Sequence, residues 1–183
     1  MVKSKTGSFH LSVTQELTAV DTIYQQAMDI GSYISVGDSQ ALAVEAVDFI
    51  IQAKETVNNT YSNSLPGAAT GNTQWGAQVT ALNPGTAFLR ADNTQLVASG
   101  VVYMDDTNSI VSVGPDLFPD DFGKLDEAKM IINDNLYLVT AFNGSALAAN
   151  RAYVITARLK CRIVKLDKAA WMSIAIEQSA ADA

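Results

Sequence analysis

The segment at residues 152–165 limits the possible folds of this chain more than any other. Its residues alternate with a period of two, which is the side-chain repeat of a β-strand. The apolar face carries Tyr153, Ile155, Ala157, Leu159, Cys161 and Ile163. Fourteen residues at about 3.3 Å each span roughly 45 Å, which is long for a small domain. The pattern therefore predicts one unusually long strand near the C-terminus.

Several other segments carry β patterns bounded by turn residues. Alternation at 9–14 predicts a half-buried strand, and valine and isoleucine in the apolar run 40–52 favour a long central strand over a helix. Residues 100–104 and 131–142 predict further strands. Because these strands do not alternate with helices, we predict an all-β antiparallel β-sandwich of jelly-roll type. It should have about eight strands and one or two short helices.

The less regular segments predict the helices, the turns and the domain limits. Residues 92–98 and 168–178 predict two short helices, and residues 30–38 predict a short strand ending in a Gly-Asp turn. Residues 56–74 are rich in Asn, Ser, Thr and Gly and predict a long exposed loop. We expect a flexible N-terminal arm at 1–8 before a single domain that occupies the rest of the chain, 9–183.

Composition excludes several kinds of catalytic site. The chain has 183 residues with a single Cys, Cys161, and a single His, His10. One Cys excludes an internal disulfide or a cysteine zinc site, and one His cannot supply the imidazole cluster of a cupin. Neither a phosphate-binding loop nor a Gly-x-Ser-x-Gly motif occurs. We predict no metal, no cofactor, no small-molecule substrate and no enzymatic activity, with a hydrolase that uses paired carboxylates as an alternative.

Charge is unevenly distributed along the chain. The net charge of −7 disfavours general binding to nucleic acid. Residues 105–134 contain eight acids and two bases, whereas residues 151–168 contain six bases and one acid. These two regions either balance each other within one molecule or meet head to tail between copies.

Arg158, Lys160 and Arg162 are the sharpest cluster of charge. In a strand they project from one face at about 7 Å intervals. This face is either a solvated surface that discourages edge pairing, an inter-subunit salt-bridge seam or a phosphate contact. We predict these three residues, with Asp120 and Asp121, as candidate inter-subunit contacts.

The aromatic residues around the 56–74 loop offer a second candidate site. Trp75 either packs in the core or stacks on a ligand, and Tyr61 lies within the loop itself. We predict both as candidate ligand or interface aromatics. Together with Tyr103 they would serve the alternative function, a carbohydrate- or receptor-binding β-sandwich module of a viral spike or attachment protein. Cys161 lies on the apolar strand face and is interpreted as a core thiol.

The order of strands and turns resembles the single jelly-roll capsid proteins of icosahedral viruses, particularly those of archaeal and bacterial viruses. The resemblance lies in residues 28–52, 134–141 and 153–165, which together cover about a quarter of the chain. It implies an eight-stranded sandwich and a structural virion protein that forms an icosahedral capsid shell by self-assembly or co-assembly with other capsid proteins. It implies no active site.

The resemblance also sets expectations for partners and location. A strongly basic arm is missing, since the N-terminal segment offers only Lys3 and Lys5. We therefore expect no strong direct nucleic-acid binding, and a shell over an internal membrane fits better. No secretory signal is visible at the N-terminus and no apolar run is long enough to span a membrane. We expect synthesis in the host cytoplasm and incorporation into the virion.

Overall fold

The computed structural model describes residues 2–114 and 128–180, with side chains described as far as residue 176. Eleven strands, one 3-10 turn and one helix occur in these ranges. Their bounds are β1 Lys3–Ser4, β2 Phe9–Leu17, β3 Tyr24–Asp29, a 3-10 turn Gly31–Tyr33, β4 Gln40–Glu55, β5 Thr60–Ser62, β6 Thr73–Thr80, β7 Leu96–Asp105, β8 Ile110–Val113, β9 Lys129–Ile131, β10 Asn135–Gly144, β11 Arg151–Lys165 and α1 Lys168–Ala180.

The strands form two antiparallel sheets. In sheet A, β11 lies between β4 and the pair β1 and β2, and β4 also pairs with β5 and β9. In sheet B the order is β3, β10, β6, β7, β8. The pairings are nested: β2 with β11, β3 with β10, β4 with β9, and β6 with β7. This nesting, with strands distributed over two sheets, is that of a jelly roll. The predicted fold class is therefore confirmed.

The core lies between the two sheets. One cluster of fully buried side chains includes Leu42, Leu138 and Leu159, and a second is centred on Trp75 and Tyr153. Apolar side chains on the inner faces of both sheets are thereby removed from water, which is the main favourable contribution to folding such a sandwich. A third cluster lies on the outer face of sheet A, where Trp171 of α1 packs against small residues of β4.

Several local expectations need correction. Residues 92–98 do not form a helix, because Leu96 begins strand β7 and pairs with Thr80. Residues 30–38 form a 3-10 turn and a loop instead of a strand. Residues 56–74 are not entirely exposed. They contain β5, and three of their apolar side chains are buried against the second core cluster: Leu65, Ala68 and Ala69.

Segments near both ends of the described chain contact sheet A. Within the segment expected to be a flexible arm, β1 pairs with the end of β11, and the Lys5 ammonium donates a hydrogen bond to Gln40. At the other end, α1 begins at Lys168, and the Asp167 carboxylate accepts a hydrogen bond from the Ala170 amide in the manner of an N-cap. In the described ranges, no helix combines the length and apolar character needed to cross a membrane.

Candidate functional site

A β-bulge on sheet A organises the basic residues of β11. Lys160 is opposite Ala46 and Cys161 is opposite Val44, so Glu45 is an extra residue in β4. A bulge changes which face the following side chains occupy. This one turns Glu45 to the outer face and allows both Val44 and Val47 to enter the core.

Glu45 is the anionic centre of a small cluster on that face. Its side chain is only 8% exposed, and its Oε1 lies 2.8 Å from Arg162 Nε. The Nε hydrogen is not aligned with a carboxylate oxygen, so the contact is an ion pair rather than a linear hydrogen bond. Lys160 Nζ lies 3.9 Å from Oε2. Ser8 donates a hydrogen bond of 2.8 Å to Oε2 and accepts one of 3.0 Å from Arg162 Nη2.

The three predicted basic residues therefore have different environments. Lys160 and Arg162 are half-buried beside Glu45, whereas Arg158 is exposed and is opposite Asp48 in the register of β11 and β4. Asp120 and Asp121 lie outside the described residues, so their pairing with this face stays a prediction. Glu45 was not singled out from the sequence, although it interrupts the apolar run of β4.

The two predicted aromatic residues are not brought together on one surface. Trp75 is fully buried, and its ring makes an edge contact with Tyr153 at 4.7 Å between centroids. Burial in the core removes Trp75 from any surface site, which corrects that part of the prediction. Tyr61 is 53% exposed on β5, and Lys54 Nζ lies 5.9 Å from its ring centroid.

The single cysteine and the single histidine of the chain lie in different environments. Cys161 is fully buried, and burial, followed by the charge of Glu45, raises the pKa of its thiol to about 12. Its thiolate is therefore disfavoured at neutral pH. His10 lies on the exposed face of β2. Among residues 2–114 and 128–180, no three side chains of His, Cys, Asp or Glu are grouped in a way that would hold a metal ion.

The outer edge of sheet B is apolar and exposed. Strand β8 forms this edge, and its sequence is Ile110-Val111-Ser112-Val113. Val111 is opposite the buried Met104 and therefore points to the inner side of the sheet, together with Val113. Yet Val111 is 44% and Val113 69% exposed. Sheet B thus extends past the region where sheet A covers it.

The same two valines present the unpaired backbone groups of the edge. The Gly114 amide donates to the Val101 carbonyl, so these residues form a hydrogen-bonded pair. In an antiparallel ladder such pairs alternate along the strand. Ile110 and Ser112 therefore bond to β7, while the N–H and C=O groups of Val111 and Val113 point away from the sheet. No described strand pairs with that side.

A second exposed apolar patch lies on the opposite layer. Met172 and Ile176, one helical turn apart on α1, are 58% and 63% exposed. The same helix packs on the outer face of sheet A through Trp171. The molecule therefore has exposed apolar surface on both layers: at β8 in sheet B and on α1, which covers sheet A.

Comparisons with known proteins give fold-level similarities only. Neither a scan of protein-family models nor a search of curated proteins finds a match. Among solved structures, the VP1 protein of Trichodysplasia spinulosa-associated polyomavirus in complex with 3'-sialyllactose is similar with a TM-score of 0.47 and 6% identity. That alignment covers 91% of this chain and 97% of the other.

Two further polyomavirus structures show the same range of similarity. The unassembled VP1 pentamer of Merkel cell polyomavirus has a TM-score of 0.41 and 5% identity, covering 86% of this chain and 96% of the other. An unassembled VP1 pentamer of Washington University polyomavirus has a TM-score of 0.41 and 10% identity, covering 86% and 93%. At TM-scores below 0.5, these similarities carry no functional conclusion for this chain.

Proposed function

We propose that this chain is a structural virion protein that builds an icosahedral capsid shell by self-assembly, alone or with other capsid proteins. Jelly rolls occur in viral capsids, in lectins and in cupins. A cupin centre needs several histidines and the chain has one, His10. Of the remaining uses of the fold, shell formation accounts best for the exposed edge of sheet B.

The observation that carries this proposal is the apolar free edge formed by β8. Natural proteins usually protect such edges with charge, proline or a covering element. The opposite edge of the sheet, β3, carries one charged residue, Asp29, together with polar residues such as Gln26. Strand β8 carries no charged residue, and Val111 and Val113 combine exposed side chains with outward backbone groups. An edge of this kind is complementary to another strand.

The proposed occupant of the edge is a second copy of the same chain. The β8 edge and the α1 patch lie on different layers, so a contact of either one with a different surface of a neighbouring copy would be heterologous. Such contacts generate rings or larger assemblies instead of a simple dimer. Each contact would be small and weak by itself. Many of them together would hold a closed shell through multivalency.

Assembly of the purified full-length chain tests the proposal. We expect light scattering and negative-stain electron microscopy to show particles or discrete oligomers that grow with protein concentration. Val113→Lys places a charge at the edge and should shift assembly to at least tenfold higher concentration, because a buried uncompensated charge costs well over 1 kcal/mol.

The chain offers a matched control for that variant. Val57 is 68% exposed, almost the same as Val113, but it lies in the turn before β5. Val57→Lys should assemble like the wild type. A chain that stays monomeric at every concentration and salt condition would contradict the proposal, and so would equal assembly of the two lysine variants.

The more specific parts of the proposal come from the sequence resemblance. The chain would belong to the single jelly-roll capsid proteins of archaeal or bacterial viruses, be made in the host cytoplasm, and act without catalysis or cofactor. With a net charge of −7 it would bind nucleic acid weakly and fit a shell over an internal membrane. Co-sedimentation of assembled particles with DNA and with lipid vesicles, in parallel, tests both partner expectations.

A further inference from the structure

The outer face of sheet B carries a depression with a floor of small residues. Gly76 lies at its centre on β6, with Ala141 opposite on β10 and Val101 opposite on β7. The cavity above them has a volume of about 280 Å³. Most binding sites for small molecules are concave surfaces of this general scale, with a few polar groups that fix the ligand.

An aromatic ring is fixed at one end of the depression. The Gln78 side-chain amide donates to the Leu89 carbonyl and its oxygen accepts from the Leu89 amide, both at 2.8 Å. This pair of bonds fixes the neighbouring Phe88, which is 37% exposed. A Cβ atom at Gly76 would lie 3.3 Å from Phe88 Cζ, so the glycine allows the ring to lie close over the sheet.

Two amide side chains line the middle of the surface. Gln74 and Asn143 are directly opposite each other on β6 and β10 and point to the same outer face as Gly76. Both side chains are exposed to solvent. Each amide can donate and accept at once, which suits a ligand with adjacent hydroxyl groups.

A second depression of about 400 Å³ continues beyond these amides and is lined by Tyr103 and Ser112. Gln74 and Asn143 line both depressions, so the two form one elongated groove. We call it the Gln74 groove. Phe88 lies at one end and Tyr103, which is 43% exposed, at the other.

The charge of the Gln74 groove selects among ligand classes. The residues lining the first depression include no ionisable side chain. The second includes Asp105, and hydrogen bonds from Asn108 lower the pKa of its carboxyl group, which keeps it anionic. Anionic ligands would therefore meet no positive charge and one negative charge.

We propose that the Gln74 groove binds a neutral oligosaccharide. The apolar C–H faces of sugar rings fit against Phe88 and Tyr103, and adjacent hydroxyls fit the amides of Gln74 and Asn143. This site shares Tyr103 with the aromatic site expected from the sequence but uses neither Trp75 nor Tyr61. Binding in this groove does not depend on shell assembly. The proposed contact between copies uses the inner side and the free edge of β8, whereas the groove lies on the outer face of sheet B.

Saturation-transfer NMR on the full-length chain tests this proposal and works for single chains and large particles alike. The probes are maltotriose, triacetylchitotriose and lactose, with 3'-sialyllactose as the anionic counterpart of lactose. We expect saturable transfer to at least one neutral probe, with a Kd of roughly 1–10 mM. Binding should be this weak because ordering and desolvating the ligand in an open groove costs free energy. Lactose should bind at least as well as its sialylated counterpart.

Variants locate the binding. Gln74→Ala and Asn143→Ala should each weaken binding of the neutral probe by about fivefold to tenfold, as expected for loss of a hydrogen bond. Gln26→Ala changes an exposed glutamine on β3 of the same sheet and should leave binding within twofold. No transfer to any neutral probe, transfer only to 3'-sialyllactose, or equal binding by the Gln74 and Gln26 variants would each overturn the proposal.

Discussion

Arg162 Nε lies 2.8 Å from Glu45 Oε1 across the outer face of sheet A, where a β-bulge turns the carboxylate toward the basic residues of β11. The carboxylate is nearly buried while its two cationic neighbours are about one third exposed. Charges that were predicted to face another subunit are thus partly neutralised within the chain. Of the three predicted basic residues, Arg158 is the exposed one.

Removing the Glu45 charge should destabilise the fold. Glu45→Gln leaves Arg162 and Lys160 close together without their shared anion, and we expect the free energy of unfolding to fall by about 1–3 kcal/mol in urea titrations. Asp48→Asn on the exposed part of the same strand is the matched control and should change stability by less than about 0.5 kcal/mol. Equal effects of the two variants would mean that the cluster around Glu45 is not stabilising.

Charge reversal separates the folding role of the basic residues from an assembly role. Arg158→Glu should leave the melting temperature of the unassembled chain almost unchanged, because the side chain is exposed, and should alter assembly if the inter-subunit prediction holds. Arg162→Glu should lower the melting temperature, because it places two carboxylates beside each other. Differential scanning calorimetry and light scattering on both variants measure the two effects. A lowered melting temperature for Arg158→Glu together with an unchanged one for Arg162→Glu would contradict this division of roles.

The Cys161 thiol should be unreactive in the native protein and should make stability fall at alkaline pH. Its pKa is raised to about 12, so the folded state holds the proton more tightly than the unfolded state does. The resulting stability is present below the unfolded-state pKa, near 9, and is lost as pH rises through 12.

Two measurements check this prediction. Modification by a thiol reagent at pH 8 should proceed at the rate of global unfolding, and Cys161→Ala should flatten the decline of stability between pH 9 and 11. Tyr153, whose pKa burial also raises to about 12, should maintain a decline above pH 10 in that variant. Rapid modification of the folded protein would show that the thiol is accessible.

The two aromatic residues predicted as ligand contacts should differ sharply in their effect on stability. Trp75→Ala removes a fully buried ring and should cost about 3–5 kcal/mol. Tyr61→Ala changes a ring that is more than half exposed and should cost less than about 1 kcal/mol. Chemical denaturation of both variants gives the comparison, and similar losses would contradict the assignment of Trp75 to the core.

The sequence predicted the sandwich because its longest strands follow the period-two rule closely. Strand β11 keeps one apolar face over its whole length, and the apolar run of β4 is rich in β-forming residues. Residues 92–98 were wrongly predicted as a helix because the segment begins with Asp92, a residue type that is favoured at helix N-caps. In the fold, pairing of Leu96 with Thr80 takes precedence over that local preference.

Long-range geometry could not be predicted in the same way. Strict alternation places Glu45 on the same face as Val47, toward the core, and only the bulge opposite Lys160 and Cys161 reverses this. The position of β8 at a sheet edge, uncovered by sheet A, depends on topology. The Gln74 groove likewise depends on the register of three strands that are far apart in the chain.

Hydrogen exchange of the β8 amides tests the central claim most directly. In the unassembled chain the amides of Val111 and Val113 should exchange rapidly, because they point away from the sheet. In assembled particles the account predicts strong protection of the same two amides, since a second copy would cover the edge. Equally rapid exchange in particles and in free chains, or a chain that forms no particles at all, would contradict it.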